Sequence, residues 1–296
     1  MNTVAILTGI WQSFVYAGAG ILFILLAKII ADKRTKNFDD DIHIDDGNIA
    51  VGLRRAGLYL GIAIGLSGSM SGFSKGFFID FTYLLIDGVI IVLLMFLTRS
   101  INDFIMLKDI DNDEECIKVF EKNNKEKTIG NNAVGITEAG MYIATGFILH
   151  GSFSGTDGTL IQSISSSIVF FVLGQLFLLL FGFMYEIITP FNVKDEIKDN
   201  NLAAGIGLSG ILIALGIILK SSIAGPFIGW ANDLISFCSY AIWGIIMLLI
   251  FRAIVDRLLL PSTNIAIEVK EDRNIAALIV VQSAVNAFAI IIAYSI

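Results

Sequence analysis

The sequence holds three prolines, two cysteines and two histidines in 296 residues, and only 16% of it is charged. Each scarcity excludes something. With so few prolines, long helices can run unbroken. Cys116 lies in a charged stretch and Cys238 in an apolar one, so both thiols are expected to be free. His43 and His150 fall in separate segments without companion ligands, so no metal centre is expected. The net charge of −7 argues against nucleic acid, which calls for a basic face. There is no Walker loop, no Gly-x-Gly-x-x-Gly on a strand and no nucleophile–base pair. Neither an enzyme nor a bound cofactor is therefore expected. No Lys or Arg precedes Lys28, so the first apolar block reads as a span and not as a cleavable signal peptide.

What is present is apolar sequence. It makes up 55% of the chain, and the mean hydropathy is +0.79. It comes in eight blocks, near 5–31, 49–70, 77–98, 132–150, 159–189, 202–223, 231–255 and 275–296. Each is about the ~20 residues that a helix needs to cross ~30 Å of hydrocarbon. Strands are excluded within the blocks, because lipid cannot satisfy an open sheet edge. Basic residues collect after blocks one, three, five and seven. Examples are Lys33, Arg34 and Lys36; Arg99, Lys108, Lys118 and Lys125; Lys194 and Lys198; Arg257, Lys270 and Arg273. Those loops are expected to be cytoplasmic, with both termini outside.

Four blocks begin alike: "DGNIAVGLRRAG" from Asp46, "GNNAVGITEAG" from Gly130, "KDNNLAAGIGLSG" from Lys198 and "EDRNIAALIVVQS" from Glu271. Aligning Asn48, Asn131, Asn201 and Asn274 puts alanine two positions on in all four. Nine on come Gly57, Gly140, Gly210 and Ser283; thirteen on come Gly61, Ala144, Ala214 and Ala287; twenty-one on stands serine each time. An offset of 153 pairs Asn48 with Asn201, Gly72 with Gly225, Asp80 with Asp233 and Arg99 with Arg252. The chain thus reads as an all-α integral membrane protein, with eight transmembrane helices in two tandem four-helix units, residues 1–150 and 151–296. Each unit is itself a duplicated helical hairpin. An even number of spans per unit gives both units one topology, related by an axis along the membrane normal.

Two four-helix units with an Asn-x-Ala-[Ala/Val] start at the second and fourth helices resemble the domain of unknown function 350 family, the YjfL-like bacterial inner-membrane proteins. The resemblance runs from about residue 8 to 296. "NNLAAGIGLSG" and "RNIAALIVVQSA" match it best, while "LRRAG" and "ITEAG" in the first unit depart from it. It implies the bacterial inner membrane and no established reaction. It also implies kinship with envelope-stress gene sets that include phage-shock-protein-A-like partners.

The repeated Asn residues either cap their helices or form a ring of amides at a cytoplasmic mouth. The small residues at offsets two, nine and thirteen either let helices approach closely or line a narrow pathway. Asp80 and Asp233 read as first-turn carboxylates near the outer surface. Arg54, Arg55, Asp87 and Glu138 form a candidate intramembrane polar site, since charge at membrane depth is expensive. Arg55 and Glu138 occupy the same repeat position with opposite charge. Arg55 either pairs with Glu138 or Asp87, snorkels to the headgroups, or serves a proton or ion relay. Asp87, eleven residues into its block, is expected near the midplane. "DIDNDEE" and "DDDIHIDDG" read as solvated loops, since the first has Glu114 where an EF-hand needs glycine. The long loop over about 100–130, with Ile101, Phe104, Ile105, Ile117, Val119 and Phe120, is expected to form interfacial amphipathic helices or to dock a cytoplasmic partner. The partners expected are the bilayer, that cytoplasmic protein, and a second copy in a homo-oligomer. Two functions compete: a membrane scaffold or accessory component of an envelope-stress system, and a channel or transporter for an ion or small solute.

Overall fold

A computed structural model of the chain describes residues 3–35, 38–72, 74–103, 107, 110–122, 126–155, 159–259 and 264–296. Lys36, Phe104, Ile105, Lys108 and Lys125 lie outside the described residues.

All eight apolar blocks are helical. They form α1 (Thr3–Arg34), α3 (Ile49–Ser69), α4 (Phe77–Ile101), α6 (Asn132–Phe153), α7 (Leu160–Ile188), α9 (Leu202–Ile223), α10 (Trp230–Leu259) and α12 (Ile275–Ser295). Short helices precede the four that begin with the Asn motif: α2 (Asp40–Asp45), α5 (Asn112–Ile117), α8 (Val193–Lys198) and α11 (Ile265–Lys270). Between α5 and α6 a hairpin of β1 (Val119–Lys122) and β2 (Glu126–Ile129) pairs antiparallel, Val119 opposite Ile129.

Among the described residues seven helices, not eight, are both long and apolar enough to cross a membrane. The exception is α6. Its 22 residues would span about 33 Å at 1.5 Å per residue. Thr137, Glu138, Tyr142, Thr145 and His150 lower its apolarity. Those residues are tolerated because α6 is the most enclosed helix: α3 packs along one side and α9 along the other.

The motif-bearing helices stand in an open row, α3 beside α6, α6 beside α9 and α9 beside α12. Small residues set the spacing. A Cβ added to Gly57 would fall 2.3 Å from the Ala139 Cα, and one added to Gly140 would fall 2.6 Å from the Ser209 Cα. One added to Gly210 would fall 2.6 Å from the Gln282 Cβ. The same step therefore recurs at each pair, offset nine of one helix against offset eight of the next, and it crosses the middle of the chain without a break. In lipid such close backbone approach replaces the hydrophobic drive that water would supply. The longer helices fill the grooves. Each of α4, α7 and α10 packs on the motif helix before it and on the one after it, whereas α1 packs on α3 and α4.

Candidate functional site: a buried ion cluster at the capped end

All four motif helices start with an Asn cap. The Asn48 Oδ1 accepts from the Val51 N–H, Asn131 from Val134, Asn201 from Ala203 and Ala204, and Asn274 from Ala277. Three of the side chains also reach across to the next repeat with their amide nitrogens. Asn48 Nδ2 donates to the Cys116 carbonyl at 2.8 Å, Asn131 to the Ile197 carbonyl at 2.9 Å, and Asn201 to the Val269 carbonyl at 2.7 Å. Each accepting carbonyl belongs to the short helix that precedes the next motif helix. Asn48, Asn131 and Asn201 are buried by this double duty, and Asn274 is exposed. The four amides line no common mouth.

At this end of the first unit three arginines converge. Arg54 donates through Nη2 to the Asp40 carboxylate at 3.1 Å and through Nη1 to Asp113. Its Nε stands 3.9 Å from Glu138 Oε2. Arg55 donates to Asp40 and to Asp32. Arg99 donates to Asp113 at 2.6 Å and lies 3.7 Å from Asp103. Arg54, Arg55, Arg99, Asp40 and Glu138 are all buried. The planar guanidinium suits this work, because one side chain can present several donors to carboxylates on different elements. Arg54 ties α3 to α2, α5 and α6 at once.

Of the four residues proposed from sequence, Arg54, Arg55 and Glu138 thus come together and Asp87 does not. The partner of Glu138 is Arg54, and the partners of Arg55 are Asp40 and Asp32. Asp87 accepts a hydrogen bond from Ser69 Oγ at the far end of α3. That contact puts Asp87, the eleventh residue of α4, level with the last turn of α3. Asp87 lines a cavity of about 370 Å³ with Ser69, Lys75, Asp80, Tyr83 and Tyr16. Asp80 closes the turn before α4 by accepting from the Lys75 N–H and from Ser74 Oγ. Asp233 does the same before α10 through the Ile228 and Gly229 N–H groups.

Sequence reasoning missed Asp40 and Asp113. Both stand in stretches that read as solvated loops. One signal was available for Asp40, because the offset of 153 places it opposite Val193, a core residue. The second unit dispenses with the cluster. Gly207 and Leu208 stand where Arg54 and Arg55 do, and Val281 where Glu138 does. Arg252, the counterpart of Arg99, lies 4.5 Å over the ring of Tyr185, the counterpart of Asp32.

The cluster also encloses α5. The expected amphipathic helices of this loop are replaced, in its described residues, by α5 and the hairpin. Glu115 accepts from Asn131 Nδ2 at 3.0 Å, and Cys116 is buried against Asn48. Burial pushes the Cys116 thiol well above its ordinary range. A raised thiol pKa depletes the thiolate, the reactive form, at neutral pH. Cys116 is thus expected to resist maleimide at pH 7 in native membranes and to label after denaturation in SDS. Labelling at equal speed in both states would contradict its enclosure. Among the described residues no group of three His, Cys, Asp or Glu side chains could hold a metal ion.

The chain matches Domain of Unknown Function (DUF350) twice, over residues 5–153 and 159–296. It is 27% identical over 233 residues to a UPF0719 transmembrane protein of Aquifex aeolicus, covering 78% of this chain and 80% of that one. It is 32% identical over 109 residues to the UPF0719 inner membrane protein YjfL of Escherichia coli, covering 36% of this chain and 75% of that one. No solved structure is significantly similar. Two tandem matches that together take in nearly every residue, on a chain of long apolar helices, make this a membrane protein of the DUF350 family.

Proposed function

We propose that the chain is an inner-membrane scaffold whose first unit presents the segment from α5 to the β-hairpin to a cytoplasmic partner. One observation carries this reading: the buried ion cluster grips the one linker that has no counterpart of equal length. Arg99 to Asn131 is longer than Arg252 to Asn274: α5 has its counterpart in α11, and the extra residues hold the hairpin that follows α5. The apolar second unit makes the same helix row without the cluster, so the cluster is not needed to build the row. A buried ion network contributes little net stability compared with apolar packing. Its use is to fix where the linker sits.

In this reading the chain spans the membrane eight times, with α6 sheltered between α3 and α9. Residues 1–150 and 151–296 form the two units, both termini lie outside, and the capped end faces the cytoplasm. The abundance of Lys and Arg at that end supports the orientation. The exposed Val119 and Ile129 of the hairpin offer apolar contacts to a partner. The envelope-stress setting rests on the family resemblance.

The channel reading draws on the cavity around Asp87. The close packing of α3, α6, α9 and α12 speaks against it, because no lumen separates these helices. Purified protein in liposomes is expected to give no ion leak above empty vesicles. The partner that co-purifies with the intact chain is expected to be lost when residues 119–129 are replaced by a Gly-Ser linker. A leak abolished by Asp87→Asn, or a partner retained without the hairpin, would overturn the scaffold reading.

A further inference from the structure

The helix row is built by one repeated step, and both of its ends are bare. Offsets two, nine and thirteen form the forward face of each motif helix. Ala50, Gly57 and Gly61 in α3 are buried, as are Ala133, Gly140 and Ala144 in α6, and Ala203, Gly210 and Ala214 in α9. In α12 the same positions, Ala276, Ser283 and Ala287, are exposed. Offsets four, eight and fifteen form the receiving face. They are buried in α6 (Gly135, Ala139, Gly146), α9 (Gly205, Ser209, Gly216) and α12 (Leu278, Gln282, Ala289). In α3, Ala56 and Ala63 are exposed, and a Cβ on Gly52 would meet nothing within 4 Å. At the same offset, Gly135 and Gly205 press on the Ala50 and Ala133 carbonyls.

Two further features mark the same ends. Asn274 alone among the four caps makes no bond to a following short helix, and it is exposed. The Ile197 carbonyl, which takes the Asn131 amide, has its counterpart in Ile44 of α2. The peripheral helices agree. Ser167 and Gln175 of α7 are 1% and 3% exposed, bonded to the Ser152 carbonyl and to Thr145 of the motif helix before them. Their counterparts in α1, Phe14 and Leu22, are 75% and 64% exposed, with no motif helix before them.

We infer that a second copy of this chain docks head to tail, its α3 and α1 on the free face of α12. The contact continues the step already made by α3 on α6, α6 on α9 and α9 on α12. Ser283 of one copy meets Ala56 of the next, Ala276 meets Gly52, and the Asn274 amide reaches the Ile44 carbonyl. The two patches differ, so the contact is heterologous, and repetition gives a ring or an extended row in the membrane plane. The inference is independent of what the hairpin binds.

The test uses differently tagged full-length copies in a Cys238→Ser background, one with Ser283→Cys and the other with Ala56→Cys, co-expressed and oxidised in native membranes. Both positions are exposed in the single chain, so neither change threatens its fold. The expected result is a disulfide-linked dimer carrying both tags, and a ladder when one chain carries both cysteines. Adding Ala287→Trp is expected to abolish the dimer while the thermal unfolding of the single chain is unchanged. No mixed dimer, linkage between two Ser283→Cys copies instead, or a monomeric mass for the unmodified chain in nanodiscs would each overturn head-to-tail docking.

Discussion

Asp40→Val is expected to destabilise the protein by about 3–5 kcal/mol, the range for removing one member of a buried ion network. Among the described residues Asp40 is the only carboxylate shared by Arg54 and Arg55. Without it, Arg55 keeps the partly exposed Asp32 as a carboxylate partner, and Arg54 keeps Asp113 and the looser contact to Glu138. Valine is the residue at the matching place in the second unit, so the loss comes from stranded charge and not from poor shape. Replacing the set together, Asp40→Val with Arg54→Ala, Arg55→Leu and Glu138→Val, is expected to recover most of the loss. The four changes are in contact, so their effects should be far from additive. The midpoint of SDS-induced unfolding of purified protein reads both variants. A neutral Asp40→Val, or a fourfold variant worse than the sum of its parts, would contradict the cluster described above.

The second large effect concerns the row itself. Gly146 lies in α6 where α3 passes, and an added Cβ would stand 2.4 Å from the Gly61 oxygen. Gly146→Leu must push the two backbones apart or unfold their contact. Overpacking of this kind costs about 3 kcal/mol, and the displaced contact here is backbone, which cannot turn aside. Gly52→Leu places the same side chain on the free receiving face of α3, where nothing stands within 4 Å. It is expected to leave the stability of the single chain within about 0.5 kcal/mol of the parent, as surface substitutions do. Thermal unfolding in mild detergent compares the two. Equal effects would mean that the spacing of the row is not set by its small faces.

The helices and their repeat were legible because lipid imposes a length and a composition on every span. The Asn motif recurs at the start of four blocks with small residues at fixed offsets. The step between neighbours was half legible: small residues at offsets nine and thirteen announced close packing, but nothing in one sequence said which helix would meet which. The open row and its bare ends follow from tertiary placement alone. α6 was counted as a span from its run of small and apolar residues. Its polar side chains are explained by shelter that only the packed structure supplies.

The ion cluster was legible from one side only. Arg54, Arg55 and Glu138 stood out because they break an apolar helix. Their partners did not, because Asp40 and Asp113 sit among many acids that composition alone treats as solvated. The 14 and 59 residues that separate Arg54 from Asp40 and from Asp113 leave no local pattern. The hairpin had a readable signal: "VFEK" and "EKTI" both carry strand-favouring residues. The strong prior for membrane helices drew the loop towards amphipathic helices instead.

The link from cluster to linker is tested most directly by hydrogen–deuterium exchange on the intact chain and on Asp113→Ala. Asp113 is the carboxylate that Arg54 and Arg99 share, and it sits on α5 outside the spans. The expected result is faster exchange across residues 112–131 in the variant, with residues 133–150 and 203–222 as slow as before. Unchanged protection of residues 112–131 would contradict the claim that the buried arginines hold this segment in place.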